Sequence, residues 1–257
     1  NRSELDEALD SVAAQHYEHI EVILVDARGR NELAGKTCGS KRVRVVSPGR
    51  HLSRPQAANA GLCAVKGEFF CFLDEDDLID PKHIQQLVKT LHSSECLVAY
   101  AGVRCIRVDK TETDIVLNEG FDRYKLMWNN FIPNNALLFH RHILDLDCFF
   151  DNALDCYEDW DYLLQVSRHS GFVSTGKISA YYRSGGTSEV GVQDADVSKV
   201  SNARLKLLSK WKEMISGPEY IQLLEYLAEG KITDDTWRIR RELLAKEHDL
   251  QVLSLQL

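Results

Sequence analysis

No apolar run in this 257-residue, 29.2 kDa chain approaches the roughly 20 residues that a bilayer-spanning helix needs. No secretory leader pattern opens the sequence either. The expectation is therefore a cytoplasmic protein, with any peripheral attachment to a membrane supplied by a partner. Basic excess is also lacking. Thirty-one lysines and arginines face 39 acids, a formal net charge of −8, so there is no positive field for a polyanion and nucleic acid is not an expected partner. The seven cysteines (Cys38, Cys63, Cys71, Cys96, Cys105, Cys148 and Cys156) are odd in number and contain no C-x-x-C pair. Several sit in apolar runs such as "FFCFL" and "GLCAV", which reads as reduced core cysteine, with zinc binding a poor second. A chain of this size buries enough surface to need no covalent staples. Internal repeats and low-complexity tracts are absent.

What is present is an alternation of helical and extended patterns. "NRSELDEALDSVAAQ" sets Leu5, Leu9 and Val12 on one helical face, with Ser3 as the expected N-cap. "HIEVILVDARG" and "KRVRVVSPG" read as strands. "SRPQAANAGLCAV" reads as a helix capped by Ser53 with Pro55 in its first turn, and "EFFCFL" as a further strand. Asp80 and Pro81 then announce the helix "PKHIQQLVKTLH", and "CLVAYAGVRCIRV" is one bent strand or two. The expected class is α/β, with a mostly parallel sheet covered on both faces. From Ser198 the pattern turns helical, which divides the chain into an α/β domain over 1–197 and a C-terminal helical extension over 198–257. The amphipathic stripes of the extension suit packing on the core or on another chain, including self-association or docking to a partner.

The segment "GEFFCFLDEDDLIDP" places Asp74, Glu75, Asp76 and Asp77 at the end of an apolar strand. Ligands in open α/β sheets bind beyond such strand ends. Two like charges about 5 Å apart repel by roughly 3 kcal/mol in a half-buried setting, against under about 1 kcal/mol in water. A half-buried cluster of acids therefore calls for a counter-ion, and hard oxygen ligands suit Mg²⁺ or Mn²⁺. The plainer alternative is a solvated turn whose acids favour the next helix N-terminus. An EF-hand is excluded, because Leu78 and Ile79 stand where that loop needs an oxygen ligand and a glycine.

The stretch "AANAGLCAVKGEFFCFLDEDDLIDPKHI" resembles the middle of a family 2 glycosyltransferase, a group with a GT-A nucleotide-binding fold. "NRSELDEALDSVAAQHYEHIEVILVD" is similar to that family's opening helix and second strand, and "DCYEDWDYLLQVSR" to its acidic catalytic segment. The resemblance covers roughly residues 1 to 190, and the family's first strand has no counterpart in the sequence. It implies a metal-dependent, inverting transfer of a sugar from a nucleotide-sugar donor to an acceptor hydroxyl of a glycan, a lipid-linked carrier or a small molecule, of the kind used in bacterial polysaccharide or glycoconjugate synthesis.

The resemblance also implies roles. Asp76 comes first as a ligand to Mn²⁺ or Mg²⁺, then Asp77, with Asp74 on the metal or the ribose. Asp26, ending "EVILVD", is implied as a nucleotide contact. Asp159 of "EDWD" is the implied general base with Glu158 as the fallback, while Trp160, Leu163, Leu164 and Ser167 share a face turned to the core. Arg54 and Asn59 are placed against the nucleotide, and Arg183 of "YYRSGGTS" on phosphate. Three positions depart from the family pattern: Ala27 replaces a second acid, Ala58 stands where an arginine precedes the asparagine, and Gly185 replaces a histidine. They keep open the alternative of a non-catalytic module that retains the fold. A sugar-phosphate nucleotidyltransferase is the other rival, and "EDWD" argues against it.

Overall fold

The structure is a computed structural model that describes residues 2–107, 110–154, 156–183, 197–212 and 215–228. Helix α1 (Arg2–Ala13) leads into β1 (Glu21–Val25) and β2 (Arg42–Val46), which pair in parallel with Glu21 beside Arg42 and Val25 beside Val46. Helix α2 (Arg54–Ala64) packs on β1 and β2. Leu9, Leu24 and Cys38 form a small apolar cluster here, joined by Leu5 and Val12. The apolar stripe of α1 is as expected. Ser3, by contrast, lies inside the helix rather than at its cap.

The larger sheet holds β3 (Phe69–Phe70), β4 (Leu78–Ile79), β5 (Val98–Ile106), β6 (Glu112–Leu117), β7 (Leu137–His140) and β8 (Phe172–Arg183), in the order β3-β7-β5-β8-β4. Strand β5 is its axis. It pairs with β7 along its first half and with β6 along its second, both antiparallel, and with β8 in parallel along its other edge. Eight of its nine residues are buried, because neighbours flank both edges and α3 (His83–His92) packs against it. That explains the unbroken apolar run "VAYAGV".

The α/β class is as expected, but strand direction differs. Among the described residues only β1 with β2 and β5 with β8 run parallel; the other four strand pairings are antiparallel. The helix-strand alternation that implies parallel pairing stops at β5: β6 returns directly as a hairpin, and β7, which follows one short α-helix, also lies antiparallel to β5. The expected strand "EFFCFL" also shrinks to two residues. Beyond Phe70 the chain turns into the acidic segment, and Cys71 is exposed rather than in the core. Cys63 is exposed as well, while Cys38, Cys105, Cys148 and Cys156 are buried thiols.

The helical extension is no separate body where it is described. Helix α6 (Val197–Lys212) contributes Ala203, Leu207 and Trp211 to the main apolar core. Helix α7 (Gly217–Ala228) sets Glu219 on Arg123 at 2.7 Å and on Arg168 at 3.6 Å. Leu205, Tyr220 and Ile221 remain exposed on the outside of these helices. The last amphipathic segment of the sequence and Gly185 lie outside the described residues. No helix among the described residues is long and apolar enough to cross a membrane.

Candidate active site

The acidic segment is the turn between β3 and β4, and its shape follows from strand register. Leu78 pairs with Tyr181 and Ile79 with Ala180 in an antiparallel ladder, so two residues further along Asp76 falls opposite Arg183. The Arg183 N–H donates to Asp77 Oδ1 at 3.0 Å, its Nε donates to the Asp76 carbonyl at 2.8 Å, and its Nη2 reaches Glu7 of α1 at 2.6 Å. Arg183 is only 4% exposed. The register thus puts its guanidinium beneath the turn, where it braces the acids from behind. These contacts engage Nε and Nη2 of the guanidinium that the resemblance places on phosphate.

The four acids are not equivalent. Asp77 is 3% exposed, and burial, reinforced by the charge of Asp74, pushes it up to about 8. Asp74 faces the other way, with 51% of its side chain exposed. Its carboxyl is nevertheless raised, first by loss of hydration and then by the charges of Asp76, Asp159 and Glu75. These observations agree if Asp74 lines a cleft that admits water but is walled by protein. Asp76 is half-buried and also raised, by burial first and then by Glu75 and Glu4, with Arg183 opposing.

Two helices bring the remaining groups to this turn. Pro55 fixes the first turn of α2, and Arg54 projects from the same turn. Its Nε donates to Glu158 Oε1 at 2.9 Å, across 104 residues of sequence, and its Nη2 lies 3.8 Å from Asp74 Oδ2. Helix α5 (Glu158–Ser167) begins after Tyr157, whose φ of 63° is left-handed. A bulky residue in that region costs on the order of 1–3 kcal/mol and marks a chain held against its preference. The turn seats Glu158 and Asp159 at the helix start while Trp160, Leu163, Leu164 and Ser167 are buried.

Glu158 is 7% exposed, and burial, aided by the charge of Asp159 and opposed by Arg54, pushes it up to about 7. Asp159 is half-buried and accepts from Asn130 Nδ2 at 3.1 Å and from the Trp160 N–H at 2.8 Å. Arg54 feels Glu158, Asp74 and Asp159 together, and their attraction outweighs its loss of hydration and holds it well in the charged form. One guanidinium thus gathers carboxylates from two distant motifs.

Two implied nucleotide contacts are engaged elsewhere. The Asn59 amide donates to the Phe150 carbonyl at 2.8 Å and accepts the Phe150 N–H at 2.9 Å. It fastens α2 to the 149–151 segment and does not join the cluster. Asp26 is 4% exposed and accepts from Gly29 N at 3.1 Å, Asn31 N at 2.6 Å and Ser47 Oγ at 3.0 Å. Burial works against its charge, but these hydrogen bonds prevail and hold it below the ordinary carboxylate range. Asp26 therefore shapes the loop after β1.

Sequence reasoning missed several supports. Asp161 is fully buried and accepts from Lys210 Nζ at 2.9 Å, Trp211 Nε1 at 2.9 Å and Gln165 Nε2 at 2.8 Å. It pins α6 to the helix that carries Asp159. Nothing in the one-dimensional pattern pairs residues 49 apart. Asn130 and Glu7 were missed for the same reason. Among the described residues, open pockets of about 340 and 400 Å³ lie beside Trp211 and beside His140, and neither of these includes an acid of this cluster.

Glu158 makes stability pH-dependent. Its folded-state affinity for a proton exceeds the ordinary value of 4.5, so its contribution is fully present below pH 4.5 and is lost as pH rises through about 7. Each unit of displacement carries about 1.4 kcal/mol, so Glu158→Gln should flatten the ligand-free stability profile over this window by at most a few kcal/mol. Denaturant titrations between pH 4.5 and 8 check this, and parallel profiles for the two proteins would refute it.

Known proteins resemble this chain along much of its length. The family model described as Glycosyl transferase family 2 matches residues 1–154. The chain is 22% identical over 169 residues to the uncharacterized glycosyltransferase YwdF of Bacillus subtilis, covering 63% of this chain and 62% of that protein. It is 24% identical over 169 residues to the succinoglycan biosynthesis protein ExoO of Rhizobium meliloti, covering 60% and 49%. The matches thus span less than two thirds of these relatives' own lengths. Among solved structures, TarS 1–349 of S. aureus in complex with UDP-GlcNAc superposes with a TM-score of 0.60 at 15% identity, over 80% of this chain and 67% of that one. That likeness concerns the fold.

Proposed function

The chain belongs to glycosyl transferase family 2, and on that premise we propose that it moves a sugar from a nucleotide-sugar donor to an acceptor hydroxyl, with inversion and with a divalent cation. The observation that carries this reading is the convergence of Asp74, Glu158 and Asp159 on Arg54. Such a gathering of acids at the end of a sheet is costly unless a cationic ligand or a proton transfer makes use of it.

The donor set fits a hard cation. Asp74 and Asp76 offer oxygen ligands whose carboxyls are raised by burial first and then by neighbouring acids, Asp76 among those acting on Asp74 and Glu75 on both. Among the described residues no group of three or more His, Cys, Asp or Glu side chains forms a metal cage. Two carboxylates completed by diphosphate oxygens is the usual arrangement for magnesium. A bound Mg²⁺ or Mn²⁺ supplies Lewis-acid stabilisation of the departing nucleoside diphosphate. Asp77 and Arg183 hold the turn in shape. Asp159 takes the proton of the acceptor hydroxyl as that oxygen bonds to the anomeric carbon, and the bond from that carbon to the diphosphate oxygen breaks. Arg54 keeps Glu158 and Asp74 apart and neutralises part of their charge.

A thermal-shift panel of nucleoside diphosphate sugars, UDP-GlcNAc included, with and without Mn²⁺ tests the reading. A donor at 100 times its Kd stabilises by about 2.7 kcal/mol, which raises Tm on the order of 5 °C for a chain of this size. A panel in which no nucleotide sugar shifts Tm in the presence of Mn²⁺ would sink it. A non-catalytic binding module is favoured by the engaged amide of Asn59 and the buried Arg183; it would show the shift without hydrolysing any donor.

A further inference from the structure

Asn130 is held at a rigid corner. The chain leaves α4 (Arg123–Trp128) through Asn129, whose N–H bonds to the Lys125 carbonyl at 2.8 Å. Trp160, adjacent to Asp159, sends its indole Nε1–H to the Leu126 carbonyl at 2.6 Å in a fully buried contact. Arg204 of α6 adds a bond to the Trp128 carbonyl at 3.4 Å and lies over the Trp128 ring at 5.6 Å. The end of α4 and the first turn of α5 are thereby locked together. From this corner Asn130 Nδ2 donates to Asp159 Oδ2 at 3.1 Å, while its buried Oδ1 has no hydrogen-bond partner among the described residues.

That half-satisfied amide is informative. A buried carbonyl oxygen without a donor is costly, and packing alone gives no reason to keep it. Rotating the amide by 180° would set its oxygen against the carboxylate of Asp159, so the electrostatics fix its orientation. The charged groups facing Asp159 are Glu158 on its own helix, Arg54 on α2 and Asp74 in the acidic turn. Among the described residues none of these groups hydrogen-bonds Asp159; the Trp160 N–H holds Oδ1 and Asn130 holds Oδ2.

We infer that Asn130 is a positioning residue, which orients the Asp159 carboxylate so that its remaining lone pairs meet the acceptor hydroxyl. This rests on the reading of Asp159 as the general base. Its effect operates through geometry, and misplacing a reacting group by about 1 Å costs on the order of 10²-fold in rate.

The test uses hydrolysis of UDP-GlcNAc, or of the panel's fastest nucleotide sugar, with Mn²⁺ and water as acceptor. Asn130→Asp keeps the shape and removes the donor; Asn130→Ala removes the whole amide. Both should lower kcat by about 10²-fold with KM for the donor changed less than about twofold, and Asn130→Ala should keep the parent Tm. Retention of parental kcat by either folded variant would overturn the inference while leaving Asp159 as base. Undiminished hydrolysis by Asp159→Asn would instead overturn the base, and this inference with it.

Discussion

Asp159→Asn should lower turnover of the nucleotide sugar by about 10²- to 10⁴-fold, the range that a positioned general base supplies, with KM for the donor and Tm close to those of the parent. The substitution is isosteric. An asparagine oxygen can still accept from Asn130 or from the Trp160 N–H, so the start of α5 keeps its shape while the site loses the proposed proton acceptor. Asp159 sits only half-buried at the start of a helix anchored by Trp160 and Asp161, which is why a large kinetic effect should come without a structural one. Glu158 is the sharpest rival for the role. It is buried against Arg54 at 2.9 Å, an engagement that suits charge balance better than contact with an incoming hydroxyl. Steady-state hydrolysis of both single variants decides between them, and a Glu158→Gln protein more damaged in kcat than Asp159→Asn would reverse the assignment.

Asp76→Asn should abolish the Mn²⁺-dependent part of nucleotide binding and slow turnover by about 10³-fold, since Lewis-acid stabilisation of a leaving diphosphate is worth several kcal/mol. The matching variant Asp77→Asn serves as its contrast. Asp77 is buried, accepts the Arg183 N–H at 3.0 Å and is pushed up to about 8, so a neutral isostere that still accepts that bond should change Mn²⁺-dependent binding by less than about tenfold, the equivalent of one hydrogen bond. Isothermal titration of UDP in the presence and absence of Mn²⁺ gives both numbers. Equal losses in the two variants would return Asp77 to the rank of ligand that its motif suggests.

The contrast between these adjacent aspartates shows where one-dimensional reading stops. The pattern D-x-D-D identifies a cluster of acids at a strand end and the chemistry such a cluster suits. It does not say which carboxylate stays accessible and which is buried, because that depends on the antiparallel pairing of Leu78 with Tyr181 and of Ile79 with Ala180. Arg183 shows the same limit. The resemblance of its segment implies a phosphate contact, whereas the ladder turns it inward to Glu7 and the Asp76 carbonyl. Asn59, in the expected stretch, spends its amide on the Phe150 backbone.

Local chemistry alone determined a good deal: the α/β class, the limits of most helices, the buried face of α5 and the presence of acids at two loop ends. These follow from side-chain periodicity, proline and capping preferences, which act within a turn or two of the backbone. Folding in three dimensions decided the rest. It set the mixed direction of the large sheet, drew Arg54 to Glu158 and Asp74, put Asp77 under the turn and Asn130 beside Asp159, and made α6 part of the core. Each of these depends on pairing register and on packing between segments far apart in the chain, where the energy of a contact belongs to both partners and is written in neither one alone.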